Sequence, residues 1–133
     1  MIPPFNEHGY LPPGIHPATM EEIEARFGRE SELRRTQMES LNWMVDLARK
    51  AGVPRIVING SFTTDRLEPN DVDCVLLTGP DFPQDAAATA ELFAGIPFIN
   101  FEFASPSVFR EYIERIFASD RDLIQKGMLE ILP

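Results

Sequence analysis

The stretch Ile56-Val57-Ile58-Asn59-Gly60-Ser61 decides the fold, together with Asp71-Val72-Asp73-Cys74-Val75-Leu76-Leu77 a short distance further on. Each stretch contains an apolar run of the kind found in strands that are buried on both faces. The first run ends in a Gly-Ser turn, and the second opens with two acids one residue apart. We therefore predict one strand over about 55–59, a loop, and a second strand over about 71–78.

The two acids, Asp71 and Asp73, point to a metal site. Side chains alternate along a strand, so both carboxylates are expected on one face, roughly 6.6 Å apart along the chain. Two like charges beside a buried strand repel each other and lose hydration unless a cation lies between them. One divalent cation, or two about 3.5–4 Å apart, would satisfy both carboxylates. The alternative is that Asp71 ends a turn after Pro69-Asn70 and that Asp73 is an exposed edge acid.

The Gly60-Ser61 pair takes its meaning from its position. A glycine after a strand lets a ligand approach the backbone closely, and a helix that begins just beyond it would present N–H donors to phosphate. Gly-Ser pairs are also common in ordinary loops, so the pair alone indicates little. Followed by two acids at the head of the next strand, the turn indicates a site for a triphosphate and Mg²⁺.

The order Gly60-Ser61, nine intervening residues, then Asp71-Val72-Asp73 resembles the signature of the polymerase β-type nucleotidyltransferase superfamily. The resemblance implies transfer of a nucleoside monophosphate from a nucleoside triphosphate (NTP) to a hydroxyl, with two Mg²⁺ ions. It also implies that Asp71 and Asp73 ligate both ions, and that Gly60 and Ser61 hold the β- and γ-phosphates. Residues 95–133 match the superfamily more loosely, by the order of their strands.

Two further segments narrow this resemblance. The N-terminal segment Phe5–His16 and the later Lys126-Gly127-Met128 are similar to a small bacterial family within the superfamily, which is minimal and nucleotidyltransferase-like. This second resemblance spans nearly the whole chain, but it implies no particular substrate.

The superfamily resemblance also implies a third acid on a later strand, and Glu102 is the candidate. It lies between Phe101 and Phe103, so it faces away from the core if those two side chains face it. We expect Glu102 to ligate the catalytic Mg²⁺ and to help activate the attacking hydroxyl. The superfamily more often has Asp at this point, and the longer side chain changes the geometry. The alternative is a solvent-facing acid on an edge strand.

The chain is acidic, with 21 Asp and Glu against 12 Lys and Arg and a formal net charge of −9 at pH 7. Binding to long DNA or RNA relies on cations that neutralise backbone phosphates, so we expect no long nucleic-acid partner. One local cluster of arginines is expected to form a solvated helix face that pairs with nearby glutamates. These arginines are Arg26, Arg29, Arg34 and Arg35. Charge alone suggests that Arg66 and Lys126 balance a triphosphate.

Cellular location is predicted from apolar runs and cysteine content. No apolar run approaches the roughly 20 residues of a membrane helix, and the proline-rich start does not resemble a signal peptide. Cys74 is the only cysteine, and in a buried strand it is expected to act as a small apolar side chain. Because no disulfide is possible within the chain, we predict a cytoplasmic protein that does not enter a membrane.

The length of 133 residues predicts a single domain over 1–133, in which 1–17 form a proline-rich extended arm. The predicted class is α/β (α+β), a small mixed β-sheet flanked by helices and nucleotidyltransferase-like. Helices are predicted over about 20–27, 32–51, 85–94 and 106–117. Besides the two strands above, we predict strands over about 96–103 and 127–132, the last of which would close an edge of the sheet.

The leading functional prediction is a Mg²⁺-dependent nucleotidyltransferase that acts on a hydroxyl of a protein or a small molecule. A partner protein or a homodimer is expected to supply the surface with which larger members of the superfamily hold base and acceptor. The alternative is a non-catalytic module that keeps the fold and acts as an antitoxin or a regulatory binding protein. His8 and His16 lack a zinc-ligand pattern and are expected to satisfy nearby backbone groups, although one of them could reach over the active site.

Overall fold

Five strands and four α-helices make up the structure, a computed structural model that describes residues 1–133. The strands are β1 (Gly14–Ala18), β2 (Arg55–Asn59), β3 (Val72–Leu77), β4 (Ile99–Ala104) and β5 (Gly127–Ile131). The helices are α1 (Met20–Phe27), α2 (Glu32–Lys50), α3 (Ala86–Ala94) and α4 (Pro106–Glu111). None of the helices combines the length and the apolar character that crossing a membrane would require.

Side-chain caps fix where the first three helices begin. Thr19 Oγ1 accepts a hydrogen bond from Glu22 N at 3.1 Å, and the Glu22 carboxylate accepts one from Thr19 N at 3.0 Å. This reciprocal pair is the capping box that the sequence predicts. Ser31 and Asp85 cap α2 and α3 through their side-chain oxygens. The helix starts are therefore determined by local sequence.

The strands form one mixed sheet in the order β1-β5-β2-β3-β4. β2 is antiparallel to both β3 and β5, whereas β3 is parallel to β4 and β1 is parallel to β5. The predicted class, a small mixed sheet with flanking helices, is confirmed. The prediction that the last strand closes an edge was wrong, because β5 lies between β1 and β2. Its Leu129 is fully buried, as expected for an interior strand.

The sheet is covered on both faces. Cys74 of β3 belongs to a larger core formed with α1, α2 and α3, and its thiol is buried and unpaired. The next residue, Val75, faces the other way and packs with Phe109 of α4 and with Phe117. Because side chains alternate along a strand, Asp73 shares the face of Val75. The candidate site therefore belongs to the face covered by α4.

The segment after β4 departs from a regular helix. The sequence predicts one helix over about 106–117, but α4 ends at Glu111 and continues as a π-helical turn over Tyr112–Ile116. A π-helical turn widens the backbone and is often found at functional sites. Here it changes the direction in which the side chains after α4 point and brings Phe117 onto the sheet.

The N-terminal arm forms part of the folded domain. The end of the predicted extended arm, together with Ala18, forms β1 and pairs in parallel with β5. Pro17 is tolerated there because β1 is an edge strand, where a missing N–H can face outward. Before the strand, Leu11 is buried, and Tyr10 Oη donates a hydrogen bond to Asp120 at 2.6 Å. Arg26 holds the start of the arm by donating to Pro3 O at 2.9 Å.

The prediction for the arginine cluster was wrong for Arg34. Its side chain is 2% exposed and has no carboxylate partner within ion-pair distance. The guanidinium instead donates hydrogen bonds to four backbone carbonyls, at distances of 2.8–3.1 Å for those of normal length. These carbonyls belong to Phe27, Phe62, Thr64 and Arg66. Three of them lie in the loop that follows the Gly-Ser turn, so Arg34 fixes that loop to α2.

Replacement of Arg34 tests this anchor. In Arg34→Met the apolar stem remains but the buried carbonyls lose their donor, and an unsatisfied buried polar group costs about 1–3 kcal/mol. We expect the free energy of unfolding to fall by about 3 kcal/mol or more in urea denaturation. Arg34→Lys keeps the charge without the planar fork and should fall in between. The control Arg35→Met, on the exposed neighbour, should change stability by less than about 0.5 kcal/mol; equal losses in both variants would contradict the anchor.

Candidate functional site

A row of three polar residues crosses the sheet where β2 ends. Asn59 of β2 pairs in register with Asp73 of β3, and Asp73 pairs with Asn100 of β4. Residues in register share a face of the sheet, so all three lie on the face covered by α4. Asn100 Nδ2 donates a hydrogen bond to Asp73 Oδ1 at 3.2 Å. The register thus places a carboxylate between two amides.

This row forms the floor of a cleft of about 300 Å³ between the sheet and the π-helical turn. Ten residues line it: Asn59, Gly60, Asp73, Cys74, Asn100, Glu102, Tyr112, Ile116, Phe117 and Lys126. The cleft therefore contains two of the three predicted acids and the first residue of the Gly-Ser turn. Asp71 is not among its lining residues.

Gly60 is the residue of the Gly-Ser turn that lies against Asp73. Its φ of 85° and ψ of −165° lie in a region that only glycine adopts readily. A Cβ at this position would overlap the Asp73 carboxylate, so the missing side chain is what allows the carboxylate to lie against the backbone. Beyond it, residues Ser61–Thr63 form a single 3₁₀ turn. The sequence predicts close approach of a ligand to Gly60, and in the structure the group that lies against Gly60 is the Asp73 carboxylate.

The charge of Asp73 is held in a partly buried position. Burial raises the pKa of Asp73, and the negative charge of Asp71 raises it further. The hydrogen bond from Asn100 and the positive charge of Lys126 act in the opposite direction and lower it. A carboxylate whose charge is destabilised in this way gains from a cation placed beside it.

The three predicted acids occupy different positions. Asp71 precedes β3, is exposed, and acts on Asp73 through its charge. Glu102 lies on the same face as Asp73 but two residues further along β4 than Asn100, in register with Val75. It is exposed at the cleft beside Tyr112, whose pKa is raised by burial and by the charge of Glu102. The structure does not bring Asp71, Asp73 and Glu102 together as one cluster of three ligands.

A second cleft of about 280 Å³ lies on the other side of Gly60. Its lining residues are Tyr10, Gly60, Ser61, Thr64, Asp65, Arg66 and Lys126. Gly60 and Lys126 line both clefts, so the two spaces adjoin each other at these residues. Ser61, the two cationic residues Arg66 and Lys126, and the acid Asp65 thus share the second cleft.

Two polar residues of the site were missed in the sequence. Asn59 is 1% exposed; its Nδ2 donates to Phe117 O at 2.7 Å, while its Oδ1 has no hydrogen-bond partner. Its position could have indicated a role in the site, because Asn59 ends a buried apolar run and directly precedes Gly60. Asn100 carries no such signal, because its place opposite Asp73 depends on how β3 and β4 pair.

The two histidines lie in the arm. His16 Nε2 contacts Pro12 O at 2.7 Å, which agrees with the prediction that it satisfies a local backbone group. His8 is partly exposed, lies 3.5 Å from the carboxylate of Glu7 and is not among the lining residues of either cleft.

Comparison with known proteins adds one result. A model for a family of unknown function, DUF6932, matches residues 3–132. The chain belongs to this family. No curated protein and no solved structure matches it. The DUF6932 match includes both clefts and the arm, so every part of the candidate site lies inside the family domain.

Gly60→Ala in this DUF6932 protein tests the close approach of Asp73. The backbone strain costs about 1–3 kcal/mol, and the new methyl group must displace the carboxylate. We expect a loss of at least that size in thermal denaturation. The control Gly79→Ala should have little effect, because its Cβ would meet only the ring of Pro54, at 3.4 Å or more, and its φ is not positive. The double variant Gly60→Ala/Asp73→Ala should recover part of the loss, and no recovery would contradict the overlap.

Asp73→Asn tests the cost of the buried charge. Asparagine keeps the acceptor for Asn100 and removes the charge, so we expect the free energy of unfolding at pH 7 to rise, by less than about 1 kcal/mol because solvent screens a half-exposed group. The pKa of Asp73 is raised in the folded state. As the pH falls through that pKa, protonation removes the buried charge of the wild-type protein, and the difference in stability between the wild-type protein and the variant disappears. Lower stability of the variant at pH 7 would show that the carboxylate stabilises the fold.

Proposed function

We propose that this protein is a Mg²⁺-dependent nucleotidyltransferase that moves a nucleoside monophosphate from an NTP to a hydroxyl. The observation that carries the proposal is the contact between the Gly60 turn and the Asp73 carboxylate, with a cleft on either side. A phosphate chain on Gly60-Ser61 would lie beside the carboxylate that positions its metal ion. The resemblance to the polymerase β-type superfamily rests on these same residues.

The oxygen donors around Asp73 suit a magnesium ion that arrives with a nucleotide. Mg²⁺ is usually bound by one or two carboxylates together with substrate phosphates and waters. Asp71 and Asp73 are two such carboxylates. Burial, and to a smaller extent the charge of Asp71, raises the pKa of Asp73, and a cation beside the two carboxylates would offset both effects. The superfamily resemblance implies two ions, both ligated by Asp71 and Asp73, with Glu102 as a further ligand of the catalytic ion. When bound, magnesium neutralises phosphate charge and polarises the phosphorus that is attacked.

The residues of the chain would bind and orient the reactants. The turn at Gly60-Ser61 and the cations Arg66 and Lys126 would hold the β- and γ-phosphates in the second cleft. The acceptor oxygen then forms a bond to the α-phosphorus, and the bond from that phosphorus to the bridging oxygen breaks, releasing pyrophosphate. The carboxylate of Glu102, exposed at the cleft, would take the proton of the acceptor hydroxyl.

The acceptor is proposed by class. A Ser, Thr or Tyr hydroxyl of a protein and a hydroxyl of a small molecule both suit an exposed carboxylate such as Glu102. A net charge of −9 disfavours a long nucleic acid. A partner protein or a second copy of the chain would supply the rest of the acceptor surface. We also propose a cytoplasmic location, which is consistent with the unpaired thiol of Cys74.

A second candidate is a non-catalytic module that binds nucleotide and acts as an antitoxin or a regulator. One observation favours this candidate: the residue in register with Asp73 on β4 is Asn100, a neutral amide. A carboxylate at that position would serve a catalytic metal site better. Under this alternative the nucleotide binds at the same place but no phosphorus–oxygen bond is broken. Binding and turnover therefore have to be measured separately.

The binding test is thermal denaturation with ATP, GTP, CTP and UTP, each with and without Mg²⁺. At a concentration about a hundredfold above Kd, one of them should raise Tm by roughly 5–10 °C, and only with the metal. Asp73→Asn should lose this shift, whereas Asp81→Asn, an exposed acid that does not line either cleft, should keep it. No shift with any nucleotide would exclude the enzyme and would also exclude a regulatory module that binds nucleotide.

The turnover test separates the two candidates. The protein is incubated with the α-labelled form of the nucleotide that binds, Mg²⁺ and a cell lysate, and both labelled acceptor and pyrophosphate are measured. The enzyme should produce equal amounts of both, and Glu102→Gln should lower the rate at least about tenfold while the thermal shift remains. Binding without any pyrophosphate release would identify the non-catalytic module.

A further inference from the structure

Lys126 is placed between the two clefts. Its side chain is half-buried and lines both of them. The backbone N–H of Lys126 donates to Ala118 O at 3.0 Å, which fixes the residue where β5 begins. Burial lowers the pKa of Lys126, and the charges of Asp73 and Asp120 raise it.

The ammonium group of Lys126 makes no ion pair, although two carboxylates lie close enough to act on it. Asp120 is engaged instead by the hydroxyl of Tyr10, and Asp73 by the amide of Asn100. A half-buried cation without a direct partner pays a desolvation cost that an anionic ligand would offset. Its position beside Gly60 is the point where a phosphate chain would pass from one cleft to the other.

No negative charge lies directly opposite Asp73 on β4. A second divalent ion beside Asp73 would need another carboxylate close to it. The residue in register there is Asn100, a neutral amide that donates to Asp73. Glu102 lies one step further on, in register with Val75. A second ion at this place would also meet the positive charge of Lys126.

We infer that Lys126 supplies the second positive charge of this site, in place of a second divalent ion. The ammonium group contacts the phosphates where they cross from one cleft to the other, and the site takes a single Mg²⁺ with each nucleotide. Asp71 and Asp73 then balance one divalent ion, and Asn100 completes the site without adding charge. The inference rests on the proposed function, because it assumes a triphosphate at Gly60.

The first test counts metal ions. Mn²⁺ binding is followed by electron paramagnetic resonance in the presence of a saturating NTP analogue with nitrogen between the α- and β-phosphorus, which prevents turnover. We expect one Mn²⁺ per chain that binds only with the nucleotide. Two nucleotide-dependent ions per chain would overturn the inference and leave the proposed function intact. No nucleotide-dependent ion would overturn the proposed function and the inference with it.

The second test removes the charge of Lys126. Lys126→Met keeps the apolar stem, so packing against the cleft is preserved. The Kd of the same analogue, measured by isothermal titration calorimetry at fixed Mn²⁺, should rise at least about tenfold. Lys126→Arg should recover most of the affinity, because a guanidinium also binds phosphate.

The matched control is Lys50→Met, which removes a lysine charge from the exposed end of α2, where it pairs only with Asp46 at 3.2 Å. Its Kd should equal that of the wild-type protein. Circular dichroism and Tm are recorded for all three variants, so that a folding defect is seen directly. An unchanged Kd in folded Lys126→Met would overturn the inference.

Discussion

The structure depends on one buried cation, Arg34, which has no carboxylate partner. A guanidinium with five N–H donors can satisfy several carbonyls at once, and here it ties the loop of residues 62–66 to α2. Loops normally lie on the surface, because buried backbone carbonyls need donors. Arg34 provides those donors, so the chain leaving the Gly-Ser turn can pass close to the core. The position of the turn, and of both clefts beside it, follows from this contact.

The site itself is built from groups that the fold would be more stable without. Asp73 keeps its charge in a partly buried place, against the backbone of Gly60. Lys126 is a half-buried cation without an ion pair, and Asn59 has a buried oxygen without a donor. Such features are expected where a protein binds a ligand that supplies the missing partners. Their concentration around one glycine is the physical reason for proposing a binding site at this place.

Local signals determined how much could be predicted. The apolar runs predicted β2 and β3 to within a residue or so, and side-chain caps predicted where the helices begin. The place of β5 between β1 and β2, and the pairing of Asn100 with Asp73, depend on contacts between distant segments and leave no local pattern. Arg34 was misjudged because helical spacing alone does not distinguish a cation that faces solvent from one that faces carbonyls. The candidate site was therefore predicted at Gly60 and Asp73 and incompletely at its β4 side.

The central place of β5 determines when the sheet can form during synthesis. β1 pairs only with β5, and Lys126 directly precedes β5. A ribosome that has released residues 1–100 has therefore produced the Gly-Ser turn and Asp73, while β1 still has no strand to pair with. Half of the sheet forms only after the last strand emerges and inserts between two segments made long before it. The nascent chain thus cannot form both clefts until Lys126 and β5 have left the ribosome.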